Sequence, residues 1–378
     1  MTKHPTHREF TLEVVQRLQE AGYVAYWAGG CVRDLLLGRE PQDYDVATSA
    51  HPEDVRELFG KRKTLEVGLS FGVVIVVGPK GAGTVEVATF RTEGDYHDGR
   101  RPSHVAFCTA EEDAKRRDFT INGMFYDPVQ QQIHDFVGGR HDLGAGVIRA
   151  IGNPHDRMRE DKLRMLRGVR FTAALEFRLD EETAEAIRGM APQIRIVSAE
   201  RIAQELKKML TNPHRAQAMS IARDLGLFDE ILPEWQLNVA DESSVKNAES
   251  AHVSEGDWEK MLQALRLLTD PSFELSFATL LCSIHRRALQ VQKDSDIVCS
   301  IVDRFRLSNR ERDQIVWLVT QLPSLWDLHR QRQAVWKRLM AHEGFAELIS
   351  LARVVALAEE RDLKPVLFFE ETLKRMSP

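Results

Sequence analysis

The pattern of hydrophobic residues changes near residue 148, and this change constrains the fold more than any other feature. Before it, short β-prone runs mix with helical segments; after it, almost every segment has the period of an amphipathic helix. The pattern predicts an α+β fold with a small sheet-and-helix head, followed by an all-α neck, body and tail. We expect domains at 1–148, 149–235, 236–320 and 321–378, with a polar, acidic linker at 238–256.

Several elements of the head can be predicted from local patterns. Helices are expected over 9–22 and 32–37, where apolar residues recur with a helical period. Strands are expected where short β-prone runs are bounded by turn residues, at 23–27, 45–47, 72–77, 84–89, 104–107 and 133–136.

Composition limits the function classes. The chain has 51 Lys and Arg against 57 Asp and Glu, a net charge of −6, and this balance disfavours a nucleic-acid binder because phosphate contacts need cations. Basic residues nevertheless recur in patches of the helical half, at 157–170, 285–287, 304–306, 310–312 and 329–332. No apolar run reaches the roughly 18 residues of a membrane span, and no signal-peptide core follows the N-terminus. Four cysteines without CxxC spacing are typical of reduced thiols in a cytoplasmic protein.

A glycine turn precedes two closely spaced carboxylates in the head. Gly29 and Gly30 allow main-chain N–H groups to approach a phosphate, although an ordinary strand-to-helix turn has the same pattern. Asp43 and Asp45 lie two apart on an expected strand and therefore point the same way. Two such oxygen ligands suit Mg²⁺, and Glu86 on a neighbouring strand could complete a two-metal site for phosphoryl transfer.

A series of motifs resembles the class II tRNA nucleotidyltransferases and their bacterial poly(A) polymerase relatives. In chain order they are Gly29-Gly30 with Arg33-Asp34, Asp43-x-Asp45, Lys115–Asn122, Asp135–Gly139 with Asp142-Leu143, Glu160-Asp161-x-x-Arg164, and Ser198–Arg201. The resemblance is clear to about residue 235. It implies a polymerase-β-like head with Mg²⁺ held by Asp43 and Asp45.

The resemblance also implies roles for residues outside the carboxylate pair. Nucleotide binding falls to Gly29, Gly30, Arg33, Arg116, Arg117, Asp118, Asn122, Asp161, Arg164, Arg167 and Arg170, and support of the neck to Glu160, Glu200 and Arg201. A flexible loop containing Asp98, Gly99, Arg100 and Arg101 resembles the element that family members need to change from CTP to ATP.

Base selection without a template can be argued from Asp161 and Arg164. They lie three apart in the helical run expected over 156–171, which would place both on one face. The carboxylate can accept from the amino group of cytosine or adenine while the guanidinium donates to a ring or carbonyl acceptor. Guanine and uracil would leave groups unpaired at a cost of roughly 1–3 kcal/mol each. An isolated pair with this spacing could equally be a surface salt bridge.

These patterns predict an enzyme that adds CCA to tRNA from CTP and ATP, with helical basic patches on the acceptor and TΨC arms. We expect a cytoplasmic monomer. The alternatives are a bacterial poly(A) polymerase, which is usually more basic, and a specialised A-adding or CC-adding enzyme. Lys260 and Cys282-Ser283 stand where an HD phosphohydrolase would carry metal ligands, so we expect the body to be an inactive remnant of that domain.

Overall fold

The computed structural model describes residues 5–66, 72–93, 105–236, 255–290, 296–328 and 333–376. The chain divides into two compact units. The head unit comprises Met1–Arg164 and Phe177–Ile187, and the helical unit comprises Met165–Glu176 and Arg188–Pro378. The predicted α+β architecture is confirmed, with a mixed sheet in the first unit and helices throughout the second. The finer division into neck, body and tail stays a prediction.

A seven-stranded mixed sheet forms the centre of the head unit. In chain order the strands of the chain are β1 (Ala25–Ala28), β2 (Asp45–Thr48), β3 (Thr64–Leu65), β4 (Val73–Val77), β5 (Thr84–Thr89), β6 (Arg91–Glu93), β7 (Val105–Phe107), β8 (Phe125–Asp127), β9 (Gln132–His134), β10 (Val147–Ile148) and β11 (Arg178–Leu179). The large sheet has the order β3-β4-β5-β2-β1-β8-β9, while β6 pairs with β7 and β10 with β11. Only β2 and β5 run parallel within the large sheet.

Six helices accompany this sheet in the first 160 residues. They are α1 (His7–Glu20), α2 (Gly30–Leu36), α3 (Pro52–Phe59), α4 (Ala110–Lys115), α5 (Gly139–Ala145) and α6 (Pro154–Glu160). Thr6 begins α1 with a capping box, in which its hydroxyl accepts from the N–H of Glu9 and the Glu9 carboxylate accepts from the N–H of Thr6. Helix α1 then buries Val14, Val15 and Leu18, the apolar stripe that its sequence predicts.

An apolar cluster lies on the face of the sheet that carries Asp45. There Ala28, Ala47 and Phe125 pack with Phe90 and with Ala114 of α4. Asp45 lies at the first position of β2, beside this cluster, and is exposed. On this face, apolar side chains fill the space around Ala47, whereas Asp45, two residues earlier on the same strand, is accessible.

Beyond Glu160, the elements of the described residues are helical apart from the short strand β11. The helices are α7 (Leu163–Leu175), α8 (Glu181–Met190), α9 (Ala199–Leu210), α10 (Arg215–Asp224), α11 (Leu227–Ile231), α12 (Glu255–Leu267), α13 (Phe273–Gln290), α14 (Ile297–Arg304), α15 (Asn309–Leu328), α16 (Gln333–Met340), α17 (Phe345–Ala358) and α18 (Lys364–Met376). Buried aromatic residues Phe228, Trp235 and Trp258 pack edge to face in the helical unit. Among the described helices, none combines the length and apolar character needed to cross a bilayer.

The structure corrects two expectations, and a third falls largely outside the described residues. The single helix predicted over 156–171 is interrupted at Asp161, whose backbone is extended (φ −142°, ψ 106°) between α6 and α7. The linker predicted at 238–256 lies outside the described residues except for its last two, Glu255 and Gly256, which begin α12. The strand predicted at 133–136 is β9 at Gln132–His134.

Candidate active site

The two aspartates lie on the open face of the sheet, as their spacing predicts. Asp43 and Asp45 are exposed, whereas Tyr44 between them is only 3 % exposed. The parallel pairing of β2 with β5, in which Val46 lies beside Val87, brings Asp45 level with Glu86. Glu86 is exposed too, so the two carboxylates face the same side.

The charges of these neighbouring acids act on one another. The pKa of Asp45 is raised to about 6, first by desolvation in its surroundings and then by repulsion from Glu86, with a further contribution from Asp43. Arg117 acts in the opposite direction and favours the carboxylate. This crowding of negative charge is what a cation would relieve.

The donor set fits a cation that shares its ligands with a substrate. In the described ranges no three His, Cys, Asp or Glu side chains come close enough to hold a metal by themselves. Mg²⁺ commonly takes only one or two carboxylates and completes its shell with water and phosphate oxygens. Asp43 and Asp45 meet that requirement, and direct ligation by Glu86 stays a prediction.

The glycine turn makes room for an arginine of a distant motif. Gly29 ends β1 with φ +73°, a backbone region that favours glycine, and a Cβ there would lie 3.3 Å from Nη1 of Arg117. Arg117 also stacks over Phe125, with its guanidinium carbon 4.8 Å from the ring centroid. The first motif and the Lys115–Asn122 motif therefore meet at this guanidinium.

A second connection between these motifs runs through Arg33. Its Nη1 donates to the side-chain oxygen of Asn122 (2.8 Å), and its Nε donates to Asp34 (2.8 Å). The amide of Asn122 donates in turn to Asp118 (3.2 Å), whose carboxylate also accepts from the N–H of Phe119 (2.8 Å). Asp118 and Asn122 are buried, so this chain of hydrogen bonds fixes two of the residues predicted to bind the nucleotide.

Asp113 on α4 holds Arg116 and Arg117, which are predicted to bind the nucleotide, and the sequence analysis missed it. Its carboxylate accepts from Arg116 (Nε 2.9 Å, Nη2 2.7 Å) and from Arg117 (Nε 3.1 Å, Nη2 3.0 Å). It also accepts from the N–H of Arg91 (3.2 Å). Burial opposes its charge, but the two arginines outweigh burial and lower the pKa of Asp113. The spacing i, i+3 and i, i+4 to two arginines was the available signal.

Arg164 is anchored to the same region by its hydrogen bonds. Its Nη1 donates to Glu160 (2.5 Å) and to the carbonyl of Arg157 (3.0 Å), and its Nη2 donates to the carbonyl of Arg116 (3.1 Å). Glu160 also accepts from Arg157 (2.8 Å), as its predicted supporting role requires. These bonds orient a side chain that is only 9 % exposed.

Asp161 is adjacent to Arg164 for a reason other than a shared helix face. Its carboxylate accepts from the N–H of Leu163 (3.1 Å), and its carbonyl accepts from the N–H of Arg164 (3.0 Å). Asp161 thus ends one helix and caps the next. The predicted continuous helix over 156–171 is therefore wrong, and Asp161 and Arg164 lie close together across a capped break between two helices.

The remaining predicted arginines lie in the helical unit. Arg170 donates to Glu205 (2.6 Å), and Arg167 lies 4.0 Å from the same carboxylate, which is buried. Glu205 is a second buried acid that the sequence analysis missed. Glu200 accepts from Arg306 (2.8 Å) within this unit, which agrees with a supporting role.

The predicted flexible loop residues Asp98, Gly99, Arg100 and Arg101 lie outside the described residues.

The predicted basic patches are partly buried. Of the patch at 285–287, His285 and Arg287 are buried, and Arg287 donates to the carbonyl of Trp235 (2.8 Å). The prediction of phosphate contacts is wrong for these two. Other arginines of the patches form ion pairs, namely Arg286 with Glu359, Arg304 with Glu234, and Arg312 with Asp303.

Comparisons with known proteins show which proteins this chain resembles. Residues 25–149 match the poly A polymerase head domain, and residues 176–237 match the probable RNA and SrmB-binding site of polymerase A. CCA-adding enzymes of Lactobacillus helveticus and Geobacillus kaustophilus are each 46 % identical over 221 residues, which cover 58 % of this chain and 54 % of each relative. The matched region thus spans about half the length of these curated relatives.

Solved structures extend the similarity over nearly the whole chain. The CCA-adding enzyme of Bacillus stearothermophilus in complex with CTP is 32 % identical with a TM-score of 0.72, and the match covers 98 % of this chain and 82 % of that one. The Thermotoga maritima CCA-adding enzyme complexed with tRNA shares the fold, with a TM-score of 0.66 and 21 % identity. Since motifs, fold and near-complete coverage at 32 % identity agree, this chain belongs to the family of CCA-adding enzymes.

Proposed function

We propose that this chain adds CCA to the 3′ end of tRNA, using CTP and ATP without a nucleic-acid template and releasing pyrophosphate. The observation that carries the proposal is the convergence of the motifs on Arg116 and Arg117. Arg117 lies beside Gly29, and its positive charge favours the ionised form of Asp45. The main-chain carbonyl of Arg116 accepts a hydrogen bond from Arg164. Carboxylates, phosphate-binding cations and a base-reading side chain therefore belong to one site.

Each group has a defined task in this proposal. Asp43 and Asp45 would hold Mg²⁺, which activates the RNA 3′-hydroxyl and stabilises the pyrophosphate leaving group when bound. Glu86 would assist, either as a weaker ligand of the ion or through that hydroxyl. Arg116 and Arg117, kept in place by Asp113, would bind the triphosphate.

Nucleotide choice is assigned to Asp161 and Arg164. The hydrogen bonds of Arg164 account for three of the five N–H groups of its guanidinium, which leaves two for a base. Cytosine and adenine each present an amino donor beside an acceptor, whereas guanine and uracil present a carbonyl in place of the amino group. Each unmatched buried group costs about 1–3 kcal/mol, or about 10- to 100-fold in specificity.

The test uses tRNA that lacks its CCA end, incubated with purified protein, Mg²⁺ and one nucleoside triphosphate at a time. We expect CMP incorporation, and AMP incorporation once two cytidines are present. Asp43→Asn and Asp45→Asn should each abolish incorporation while the protein remains folded. Strong UMP or GMP incorporation, or no CMP incorporation, would contradict the proposal.

The same assay separates the alternatives. A poly(A) polymerase would extend a generic RNA with a long adenosine tail, an A-adding enzyme would act only after two cytidines, and a CC-adding enzyme would stop before adenosine. We favour complete CCA addition, by a monomer that works in the cytoplasm on the acceptor and TΨC arms of tRNA.

A final part of the proposal concerns the body, where the sequence lacks residues of an HD phosphohydrolase. Cys282, at a position where a metal ligand would be expected, is buried, and its burial raises the pKa of the thiol to about 12. We expect no metal-dependent hydrolysis of a 2′,3′-cyclic phosphate. Hydrolysis that EDTA abolishes would contradict this expectation.

A further inference from the structure

A row of side chains crosses the open face of the sheet from the catalytic acids to the sheet's edge. Asp45 lies level with Glu86, Glu86 pairs with Ile75, and Ile75 pairs with Leu65. Directly paired residues face the same side of a sheet. The face that carries the acids therefore continues, without a change of side, to the edge strand β3.

The outer part of this row is apolar and accessible. Leu65 is 50 % exposed, and Val73, Ile75 and Val77 are partly exposed on the same face of β4. We call these four residues the apolar shelf. Strands lie about 4.8 Å apart, so three spacings place Leu65 about 14 Å from Asp45.

Three consecutive cations stand directly before this edge strand. Lys61, Arg62 and Lys63 form a single 3-10 turn, and each is exposed. None of them forms an ion pair with another described residue. Lys63 is two residues from Leu65, at most about 7 Å along the chain. This basic turn concentrates positive charge in a protein whose net charge is −6.

We propose that the apolar shelf and the basic turn form the docking surface for the single-stranded 3′ end of the RNA substrate. The inference rests on the proposed function, because the reacting 3′-hydroxyl must reach the carboxylates at one end of the row. Unpaired bases present apolar faces that can lie on Leu65 and Ile75, and phosphates upstream can pair with the basic turn.

Charge and length favour this occupant over a nucleoside triphosphate. The cations Arg116 and Arg117, which Asp113 holds, already supply a triphosphate site on the other side of the acids. At a stacked rise of about 3.4 Å per nucleotide, the row of about 14 Å accommodates about four nucleotides. Its acidic end would contact only the terminal nucleotide, and its basic end would contact the phosphates behind it.

The test measures RNA binding directly, by fluorescence anisotropy with an RNA hairpin that has a four-nucleotide 3′ extension and with the same hairpin blunt-ended. The triple substitution K61A/R62A/K63A should weaken binding of the extended hairpin about tenfold. The slope of log affinity against log salt should fall by about 2, since each single-strand phosphate contributes about 0.7. Binding of the blunt hairpin should be unchanged.

Matched variants exclude trivial explanations. K61R/R62K/K63R keeps the charge and should bind like wild type, and Arg140→Ala removes one exposed cation from α5, which follows β9 at the opposite edge of the sheet, and should have no effect. Leu65→Ser should weaken binding of the extended hairpin several-fold, because it removes apolar contact alone. The slope of log affinity against log salt should stay unchanged. Thermal unfolding checks that every variant is folded.

The outcomes separate this inference from the proposed function. If the triple variant binds both hairpins like wild type, or loses both equally, the docking surface is refuted even when CMP and AMP are incorporated normally. If the triple variant loses binding of the extended hairpin alone, while the wild-type protein incorporates neither CMP nor AMP, the docking surface stands and the proposed function fails.

Discussion

Asp113 offers the sharpest test of how the site is held together. In Asp113→Asn the charge that holds Arg116 and Arg117 is lost, but the size of the side chain is kept. The Asp113 side chain is 2 % exposed, and those of its partners are 21 % and 20 % exposed. Removing one partner of a buried ion pair costs about 3–5 kcal/mol. Because the arginines regain some hydration, we expect a loss of about 2–3 kcal/mol in unfolding free energy.

This loss is measurable by calorimetry and by kinetics. For a unit of about 150–250 residues, each kcal/mol shifts the melting temperature by about 2–4 °C, so a decrease of roughly 4–12 °C is expected. The KM for CTP should rise about tenfold as the arginines lose their fixed orientation, which corresponds to about 1.4 kcal/mol. The lowered pKa of Asp113 means that its stabilisation is present at neutral pH and is lost on acidification. The difference in unfolding free energy between Asp113→Asn and wild type should therefore become smaller as the pH falls.

Glu111→Gln is the control on the same helix. Glu111 pairs with Lys115 at 2.7 Å, but both side chains are more than half exposed. Such a pair contributes about 0.3–0.5 kcal/mol, so the melting temperature should change by less than about 2 °C. If Asp113→Asn behaved like Glu111→Gln in calorimetry and in the KM for CTP, the inference that buried Asp113 holds Arg116 and Arg117 in place would be refuted.

Three further predictions follow from the same structure. Gly29→Ala, at φ +73° and 3.3 Å from Arg117, should destabilise the head by about 1–3 kcal/mol and raise the KM for CTP; unchanged unfolding and kinetics would contradict the close approach. Arg215→Met should lower the unfolding free energy by about 2–4 kcal/mol in denaturant titration, because the buried guanidinium donates to main-chain carbonyls that would lose their partners; an unchanged midpoint would count against this. Since desolvation and Glu86 raise the pKa of Asp45 to about 6, the Mg²⁺ concentration for half-maximal activity should rise as the pH falls below about 6, and Glu86→Gln should move that rise to lower pH; a Mg²⁺ requirement independent of pH would refute it.

The parts of the site that were predicted correctly depend on local geometry. Asp43 and Asp45 are exposed on either side of the buried Tyr44, and such alternation in extended backbone needs no tertiary information. The change from mixed elements to helices near residue 148 is likewise a periodicity, and the structure confirms it.

The missed parts depend on contacts that spacing cannot specify. The short strand β8 (Phe125–Asp127) was not predicted, since three residues are too few to show a period and the strand is fixed by pairing with β1 and β9. The spacing of Asp113 to its two arginines also occurs on exposed helix surfaces. Asp113 holds these arginines firmly because it is buried, and the spacing alone does not reveal burial. The break at Asp161 was missed because helical sequence lies on both sides of it, although aspartate favours helix caps over helix interiors.

The most direct test of the central claim is to sequence the 3′ ends produced from tRNA that lacks CCA when all four nucleoside triphosphates are present together. The convergence of the carboxylates, the Arg116–Arg117 pair and Arg164 in one site predicts that most products end in CCA with no further addition. Products that carry guanosine or uridine, or that continue into adenosine tails, would contradict it.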